Sequence, residues 1–197
     1  MAWWGPAIFL SDPSGASDVE INIVDGVFTK TLRCGRRAVA ATLRVYARLA
    51  EVLPSAPPAL RLPAYARAAS AEEFKVVVEM PVVAGREATA HEVMVAGAVL
   101  DGVAAAVAWL ARRRVVYLDV RAPNVLVDDD GAPGLVDFDD CVIADEPVET
   151  VEAYREALAA TRAGGEEGTF AWLFAEGAMA DVEAAFAAAF ERAEASS

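Results

Sequence analysis

Apolar and polar residues alternate along the first part of the chain, which predicts an antiparallel meander. The stretch "DVEINIV" at residues 18–24 alternates between the two classes, as a half-buried strand does. Asp25–Gly26 is a strong hairpin signal, and "VFTKTLR" at residues 27–33 forms the returning strand. Ile8–Ser11 forms a strand end, and "ALRLPAYARAAS" and "FKVVVEMPVV" are two further strand candidates. Five strands are therefore expected within the first 83 residues.

The apolar spacing becomes helical after residue 35. In "GRRAVAATLRVYARLAEVL" apolar residues recur every three or four positions until Pro54 ends the pattern. A second, long helix is predicted from about His91 to Arg113, with a buried stripe from Val95 to Leu110. Two short strands are predicted around "DDDG", and the chain from about Glu146 onwards is predicted to be helical.

Proline and glycine interrupt the pattern at "EMPVVAGRE", which predicts an N-terminal lobe over residues 1–83 and a C-terminal lobe over residues 84–197. Residues 1–100 carry ten basic and ten acidic side chains, whereas residues 101–197 carry seven basic and twenty acidic ones. Such an acidic second half argues against binding to nucleic acid, which requires clustered Lys and Arg.

Cysteine content and hydropathy favour a cytoplasmic protein without a membrane partner. Cys34 and Cys141 are the two cysteines, too few for a disulfide framework. The opening "MAWWGPAIFL" is interpreted as a strand, because it lacks the basic flank of a signal peptide. No other stretch has the length and charge-free character of a transmembrane helix.

Candidate chemistry concentrates between residues 115 and 141, in "VVYLDVRAPNVLVDDDGAPGLVDFDDC". Asp119 and Asn124 are five positions apart, and Pro123 keeps the residue before it out of the α region, which predicts a loop. Asp137 ends the apolar strand that follows. A positioned carboxylate can accept the proton of a hydroxyl nucleophile. Amide and carboxylate oxygens are ligands that Mg²⁺ accepts beside a phosphate.

"YLDVRAPNVLV" and "GLVDFDD" resemble the catalytic loop and the metal-binding segment of the protein-kinase-like superfamily, and "DFD" is closest to its aminoglycoside phosphotransferase branch. The resemblance implies that Asp119 orients the acceptor hydroxyl and accepts its proton, and that Asn124 and Asp137 hold Mg²⁺. Arg121, within the loop, is a candidate contact for the transferred phosphoryl group or the acceptor. Lys30, one of two lysines beside fifteen arginines, corresponds to the strand lysine that binds ATP phosphates.

Two further ATP contacts follow from the resemblance. "SDPSGASDVEINIV" resembles the glycine-poor phosphate loop of the aminoglycoside branch, although an ordinary hairpin turn explains it equally well. The residues at its tip are Ser14, Gly15, Ala16 and Ser17. "VVVEMPVVAG" resembles the last N-lobe strand and the hinge, although a plain strand followed by a linker explains it too. The residues whose backbone is implied to bind adenine are Glu79, Met80 and Val82.

Some positions depart from the family pattern. Tyr117 stands where the family has a histidine, two residues before the catalytic aspartate. The helix after Lys30 should offer a glutamate to pair with that lysine, but Glu51 is its only acidic residue and comes late. We therefore expect that Lys30 pairs with Glu51 or that this ion pair is absent.

The expected fold is α+β: a minimal two-lobe protein-kinase-like fold with a five-stranded antiparallel N-lobe sheet, one N-lobe helix and a mainly helical C-lobe. The expected function is ATP- and Mg²⁺-dependent phosphoryl transfer to a hydroxyl. A small-molecule acceptor is favoured because the segment that docks peptides in protein kinases is missing, and the acidic second half favours a cationic one. A non-catalytic pseudokinase scaffold and an atypical protein kinase remain as alternatives, and the oligomeric state is open.

Overall fold

A computed structural model of the chain describes residues 10–11, 18–161 and 170–194. The class is mixed α and β with antiparallel sheets, as the sequence predicted. The chain forms two compact units. Unit 1 comprises Met1–Pro54 and Pro63–Val82, and unit 2 comprises Ser55–Leu62 and Val83–Ser197.

Unit 1 is built on one antiparallel sheet with the strand order β1-β2-β3-β5-β4. Its strands are β1 (Leu10–Ser11), β2 (Asp18–Val24), β3 (Val27–Arg33), β4 (Arg67–Glu72) and β5 (Lys75–Pro81). Four of them have six or seven residues, and β1 adds two residues at the edge. Asp25 and Gly26 both have positive φ, 51° and 78°, which is the geometry of a two-residue hairpin turn. The predicted hairpin is therefore confirmed.

The helix predicted after residue 35 is confirmed as α1 (Arg36–Val52), which packs against β4 and β5. Val39 and Tyr46 are buried, as the periodicity indicated. In the second half of the helix the buried residues are Leu49 and Val52. Ala50, which lies four residues after Tyr46 and so fits the same spacing, is exposed. Apolar spacing thus predicted the position of the helix. Which of its residues are buried depends on how the helix packs against the sheet.

Unit 2 combines helices with two small antiparallel sheets. Its α-helices are α2 (Ala90–Met94), α3 (Ala98–Ala111), α4 (Val151–Thr161), α5 (Phe170–Ala175) and α6 (Ala180–Glu194). Its strands are β6 (Arg86–Glu87), β7 (Val115–Val116), β8 (Val125–Val127), β9 (Pro133–Leu135) and β10 (Val142–Ile143). β6, β8 and β9 form one sheet, and β7 pairs with β10. Among the helices of the described residues, none is both long and apolar enough to cross a membrane.

The prediction of one long helix from about His91 to Arg113 is wrong, because the chain leaves the helix between Met94 and Ala98. Val95 has extended dihedrals (φ −119°, ψ 142°), and its side chain is 39% exposed rather than part of the buried stripe. The N–H of Ala96 donates to Asp181 Oδ2 of α6 at 3.3 Å. A partner 85 residues away in sequence thus stabilises the break, which local periodicity cannot indicate.

α3 is the central helix of unit 2 and is buried along most of its length. Arginine side chains at its C-terminal end donate hydrogen bonds to backbone carbonyls of other elements. Arg112 Nη2 donates to the carbonyl of Phe190 at 2.6 Å, and Arg114 Nε donates to the carbonyl of Ala144 at 2.8 Å. These side chains tie α3 to α6 and to the strand β10 region.

The predicted lobe boundary after residue 83 lies one residue from the observed one, but the segment Ser55–Leu62 belongs to unit 2. Arg61 Nη1 of this segment forms an ion pair with Asp128 Oδ2 at 2.6 Å. A Cβ atom on Gly134 would lie only 2.6 Å from the carbonyl oxygen of Arg61, so the segment passes directly over this glycine. This excursion is not predictable from local sequence, because its contacts with Asp128 and Gly134 join residues that are far apart along the chain.

Candidate functional site

The loop that follows β7 holds Asp119 by a hydrogen bond from Asn124. Asn124 Nδ2 donates to Asp119 Oδ2 at 2.8 Å and to the Asp119 carbonyl at 3.0 Å. The Asn124 side chain is buried, and a short 3₁₀ turn over Ala122–Asn124 brings it back towards Asp119. The predicted loop is therefore present, and the spacing of five residues closes it on its own carboxylate. A carboxylate held this way is oriented before any ligand binds.

Arg121 contacts the same carboxylate from within the loop. Its Nε lies 2.7 Å from Asp119 Oδ2, the oxygen that also accepts from Asn124. The Arg121 side chain is 59% exposed, whereas that of Asp119 is 24% exposed. Solvent therefore reaches the guanidinium, so the ion pair can open at low cost.

The β8–β9 hairpin brings Asp137 next to Asn124. Val125 is opposite Leu135 in the strand register, and the N–H of Val136 donates to the Asn124 carbonyl at 3.0 Å. Asp137 is the residue that follows and has φ +58°, a left-handed conformation that is uncommon outside glycine. Backbone strain of this kind persists where the surroundings enforce it, and it is often found at functional sites.

Tyr117 connects the loop to the segment that carries Asp137. Its hydroxyl donates to the Val136 carbonyl at 2.6 Å, and its ring packs edge-on against Phe138 with centroids 5.9 Å apart. The hydroxyl of Tyr154, on α4, donates in turn to the Tyr117 carbonyl at 2.5 Å. Burial raises the pKa of the Tyr117 phenol well above its usual value, and the nearby Cys141 and Asp137 raise it further. Tyr117 therefore remains a neutral donor.

The two tyrosines show what sequence reasoning could and could not find. Tyr117 stands where the resemblance expects a histidine, and its hydroxyl bond to the Val136 carbonyl ties the loop to the segment that carries Asp137. Tyr154 lies in the region predicted to be helical, and its side chain is fully buried. Its hydrogen bond to the loop had no sequence signal, because α4 is far from the motif along the chain.

Carboxylates gather after the hairpin, around the buried thiol of Cys141. Burial raises the pKa of this thiol well above its usual value, and Asp139, Asp140, Asp137 and Asp119 raise it further. The thiol is therefore protonated and unreactive at neutral pH. The same electrostatics means that this region attracts cations.

The residues of this region fit a magnesium ion carried in with a phosphate ligand. Asn124 uses its amide nitrogen on Asp119, so its amide oxygen is the end left for a cation. Asp137 directly follows Val136, whose N–H is bonded to the backbone carbonyl of Asn124. Among the residues that the structure describes, no group of three or more His, Cys, Asp or Glu side chains could hold a metal ion. Mg²⁺ does not require such a group, because one or two carboxylates together with water and substrate phosphates suffice.

In unit 1, Lys30 lies on the covered face of the sheet. It is opposite Val78 in the β3–β5 register, and Val78 is fully buried. Along its own strand Lys30 lies on the same face as Phe28 and Leu32, which are two residues away on either side. An ammonium group on such an apolar face is unusual. Glu51, the partner expected for Lys30, forms an ion pair with Arg48 at 2.7 Å, one helical turn away.

The predicted adenine contacts lie in β5 and just after it. The N–H of Val82 donates to the Gly26 carbonyl at 2.9 Å and is therefore already used within unit 1, and adenine binding by the Val82 backbone stays a prediction. Glu79 lies in β5 between β3 and β4, and its carboxylate accepts from Arg67 Nε at 2.6 Å. Met80 is paired with β3 and its side chain is buried. The predicted phosphate-loop tip, residues 14–17, lies outside the described residues.

The acidic turn of the hairpin has a local structural role. Asp128 Oδ1 accepts from the N–H groups of Asp130 and Ala132, at 3.0 and 2.8 Å. Its other oxygen pairs with Arg61. This aspartate therefore shapes the turn and anchors the Ser55–Leu62 segment, and it is separate from the carboxylates around Asn124.

An apolar pocket of about 210 Å³ borders the loop on the side of Arg121. α2 forms one wall, and Thr89 caps this short helix by accepting from the N–H of Glu92 at 3.2 Å. The Glu92 carboxylate accepts from the Thr89 N–H at 2.7 Å and pairs with Arg86 at 2.6 Å. The pocket was not predicted, because its walls come from segments widely separated in sequence.

The structure thus brings Asp119, Arg121, Asn124 and Asp137 to one end of the β8–β9 hairpin, with Tyr117 bonded to the same segment. An oriented carboxylate can accept the proton of a hydroxyl. A guanidinium can bind a phosphate, and two oxygen ligands can bind a hard cation that accompanies it. No protein-family model matches the chain, and no curated protein matches it in sequence.

Proposed function

We propose that the chain is an ATP- and Mg²⁺-dependent phosphotransferase that moves the γ-phosphoryl group of ATP to a hydroxyl of a small molecule. The observation that carries this proposal is the 2.8 Å hydrogen bond from Asn124 to Asp119, in a loop followed directly by the β8–β9 hairpin, which ends two residues before Asp137. The minimal two-lobe kinase-like fold is part of the proposal. A sheet with one helix in unit 1 and a mainly helical unit 2 support it.

In this proposal Asp119 is the group that orients the acceptor hydroxyl and takes its proton. The acceptor oxygen forms a bond to the γ-phosphorus while the bond from that phosphorus to the β–γ bridging oxygen breaks, and ADP leaves. Asn124 keeps the carboxylate in position through its amide hydrogen bond. Arg121 is placed to shift from the carboxylate to the transferred group, because its side chain is largely exposed.

Mg²⁺ bound with ATP would neutralise the charge of the phosphate oxygens, and Asn124 and Asp137 would hold it. Lys30 would bind phosphate oxygens through its ammonium group. Most of the rate enhancement in such reactions comes from positioning and charge neutralisation. The fixed carboxylate and the enforced conformation of Asp137 are consistent with this division of work.

A non-catalytic nucleotide-binding or scaffold module is the alternative, and two ion pairs favour it. Arg121 covers the proposed base, and Glu51 is engaged with Arg48 rather than standing alone. A scaffold needs no free carboxylate, whereas a phosphotransferase needs Arg121 to move. The two functions therefore differ in what replacement of Asp119 does to activity.

The test combines nucleotide binding with transfer. At ATP concentrations of about 100 Kd in the presence of Mg²⁺, linkage stabilises the folded state by about 2.7 kcal/mol. This corresponds to a rise in Tm of roughly 5–10 °C for a chain of this size. Asp119→Asn should keep that rise and lower the rate of phosphoryl transfer to a hydroxyl acceptor by about 10²–10⁴-fold, as loss of a general base does.

Asp129→Asn is the matched control, since Asp129 is an exposed acid of the hairpin turn. It should leave both the shift in Tm and the transfer rate at the parent values. No Mg²⁺-dependent shift at millimolar ATP would refute nucleotide binding. A shift without transfer by the parent to any acceptor of a broad hydroxyl panel would favour the scaffold.

A further inference from the structure

The pocket beside the loop is apolar on nearly every side. Its apolar side chains come from α2, from α5 and from the turn after α5. They are Val93, Met94, Phe170, Leu173 and Met179. All of the lining residues that the structure describes belong to unit 2. Such walls favour an apolar ligand, because burying an unpaired polar group against them is costly.

The pocket is continuous with the proposed catalytic loop. Val120, Arg121 and Ala122 of the loop also line it, and Asp119 immediately precedes Val120 in the chain. Arg121 lines the pocket and has its Nε 2.7 Å from Asp119 Oδ2. A compound that occupies the pocket would therefore have its polar end beside the carboxylate proposed to accept the proton.

The charge at the pocket excludes one class of acceptor. Of the described residues that line it, Arg121 is the one with a charged side chain, and that charge is positive. An ammonium group in the pocket would be repelled by the guanidinium and would lose its hydration against apolar walls. The expectation of a cationic acceptor rests on the net charge of residues 101–197, but none of the acidic side chains that the structure describes there lines the pocket.

We infer that this pocket holds the body of the acceptor, and that the acceptor is an uncharged hydroxyl compound with a small apolar body. The inference rests on the proposed phosphotransferase function for the role of the hydroxyl. Binding of the apolar body does not require nucleotide, however. The pocket can therefore be tested separately from transfer.

Methionine methyl groups provide the reporters. The chain has four methionines, and two of them, Met94 and Met179, line the pocket, whereas Met80 lies in β5 of unit 1. The full chain, labelled with ¹³C at the methionine methyl groups, is titrated with benzyl alcohol without nucleotide. The signals of Met94 and Met179, assigned by Met→Leu substitution, should shift saturably, and that of Met80 should not. The matched cationic probe, 4-(aminomethyl)benzyl alcohol, should bind at least about tenfold more weakly, or about 1.4 kcal/mol.

Two substitutions in α2 complete the design. Ala90 lines the pocket, whereas the neighbouring exposed His91 does not. Ala90→Phe should weaken benzyl alcohol binding by about tenfold or more, about 1.4 kcal/mol, and His91→Phe should leave it unchanged. Both variants should keep the rise in Tm produced by ATP and Mg²⁺, which reports on nucleotide binding alone.

Three results would overturn the inference. They are equal affinity for the cationic probe, shifts that include Met80 as strongly as Met94 and Met179, and unchanged binding in Ala90→Phe. Absence of saturable shifts up to tens of millimolar benzyl alcohol, in a protein that still binds ATP with Mg²⁺, would refute the pocket and leave the phosphotransferase proposal standing. Saturable binding with no effect of ATP on Tm would support the pocket and refute the phosphotransferase.

Discussion

Replacement of Tyr117 by phenylalanine removes one oxygen atom and isolates the link between the loop and the Asp137 segment. The ring of the variant can still pack edge-on against Phe138, so the change leaves the shape of the core nearly intact. The bond from the Tyr117 hydroxyl to the Val136 carbonyl, 2.6 Å long, is lost. The bond that Tyr154 donates to the Tyr117 carbonyl remains available, because it involves the backbone of residue 117.

In the variant the Val136 carbonyl has lost the hydroxyl that donates to it. That hydroxyl belongs to Tyr117, a residue that is only 1% exposed. Leaving one buried partner of a hydrogen bond unsatisfied costs about 1–3 kcal/mol. A chain of 150–250 residues loses about 2–4 °C in Tm per kcal/mol, so Tm should fall by roughly 2–12 °C. The segment that follows Val136 carries Asp137, and loss of a supporting hydrogen bond typically lowers metal affinity by about 10–100-fold. Mg²⁺-dependent affinity for ATP should therefore fall by at least about tenfold.

Tyr154→Phe is the matched control, because it also removes one buried hydroxyl, and this hydroxyl donates to the Tyr117 carbonyl. Tm by calorimetry and ATP affinity by titration at several Mg²⁺ concentrations are measured for parent and both variants. Both variants should lose stability, but only Tyr117→Phe should lose Mg²⁺-dependent affinity. Parent-like affinity in Tyr117→Phe, or an equal loss in Tyr154→Phe, would refute the positioning role of the Tyr117 hydroxyl.

Asp137→Ala should abolish the Mg²⁺-dependent part of ATP binding while Mg²⁺-independent binding remains, and titration with and without the metal checks this; undiminished binding would remove Asp137 from the metal site. Gly134→Ala should lower the free energy of unfolding by about 1–3 kcal/mol in denaturant titrations, because its Cβ would lie 2.6 Å from the Arg61 carbonyl oxygen. The Arg86 side chain, followed by hydrogen bonds from Thr89, lowers the pKa of Glu92 from 4.5 to about 2. Since this pKa is lowered on folding, the stabilisation is present above about pH 4.5 and is lost as the pH falls towards 2, so Glu92→Gln should lower Tm at pH 7 and match the parent near pH 2. A constant difference in Tm across that range would contradict this reasoning.

Elements determined by neighbours in sequence were predicted well. The β2–β3 hairpin depends on the Asp25–Gly26 turn, and the loop between Asp119 and Asn124 depends on Pro123. Both could be inferred because residue type and spacing already restrict the backbone. The apolar period of α1 gave its position for the same reason, but its exact buried face depends on the sheet that it covers.

Features that depend on distant contacts were missed. The break between α2 and α3 is held by Asp181 of α6, and the N–H of Val82 is taken by Gly26 across the sheet. The ion pair between Arg121 and Asp119 could not be predicted from the spacing of the motif either. The direction of a side chain in a loop depends on tertiary packing. In each case the residue type was visible in the sequence, and its partner was not.

The excursion of Ser55–Leu62 has a consequence for dividing the protein. The chain passes from one unit to the other three times, after Pro54, after Leu62 and after Val82. A fragment cut at the third junction would carry the proposed catalytic loop but would lose Arg61. The backbone over Gly134 would then be uncovered, and Asp128 would lose its guanidinium partner. A single cut in the chain therefore cannot separate the two units intact. Recombination between related chains would preserve both units only if residues 55–62 stayed together with the rest of unit 2.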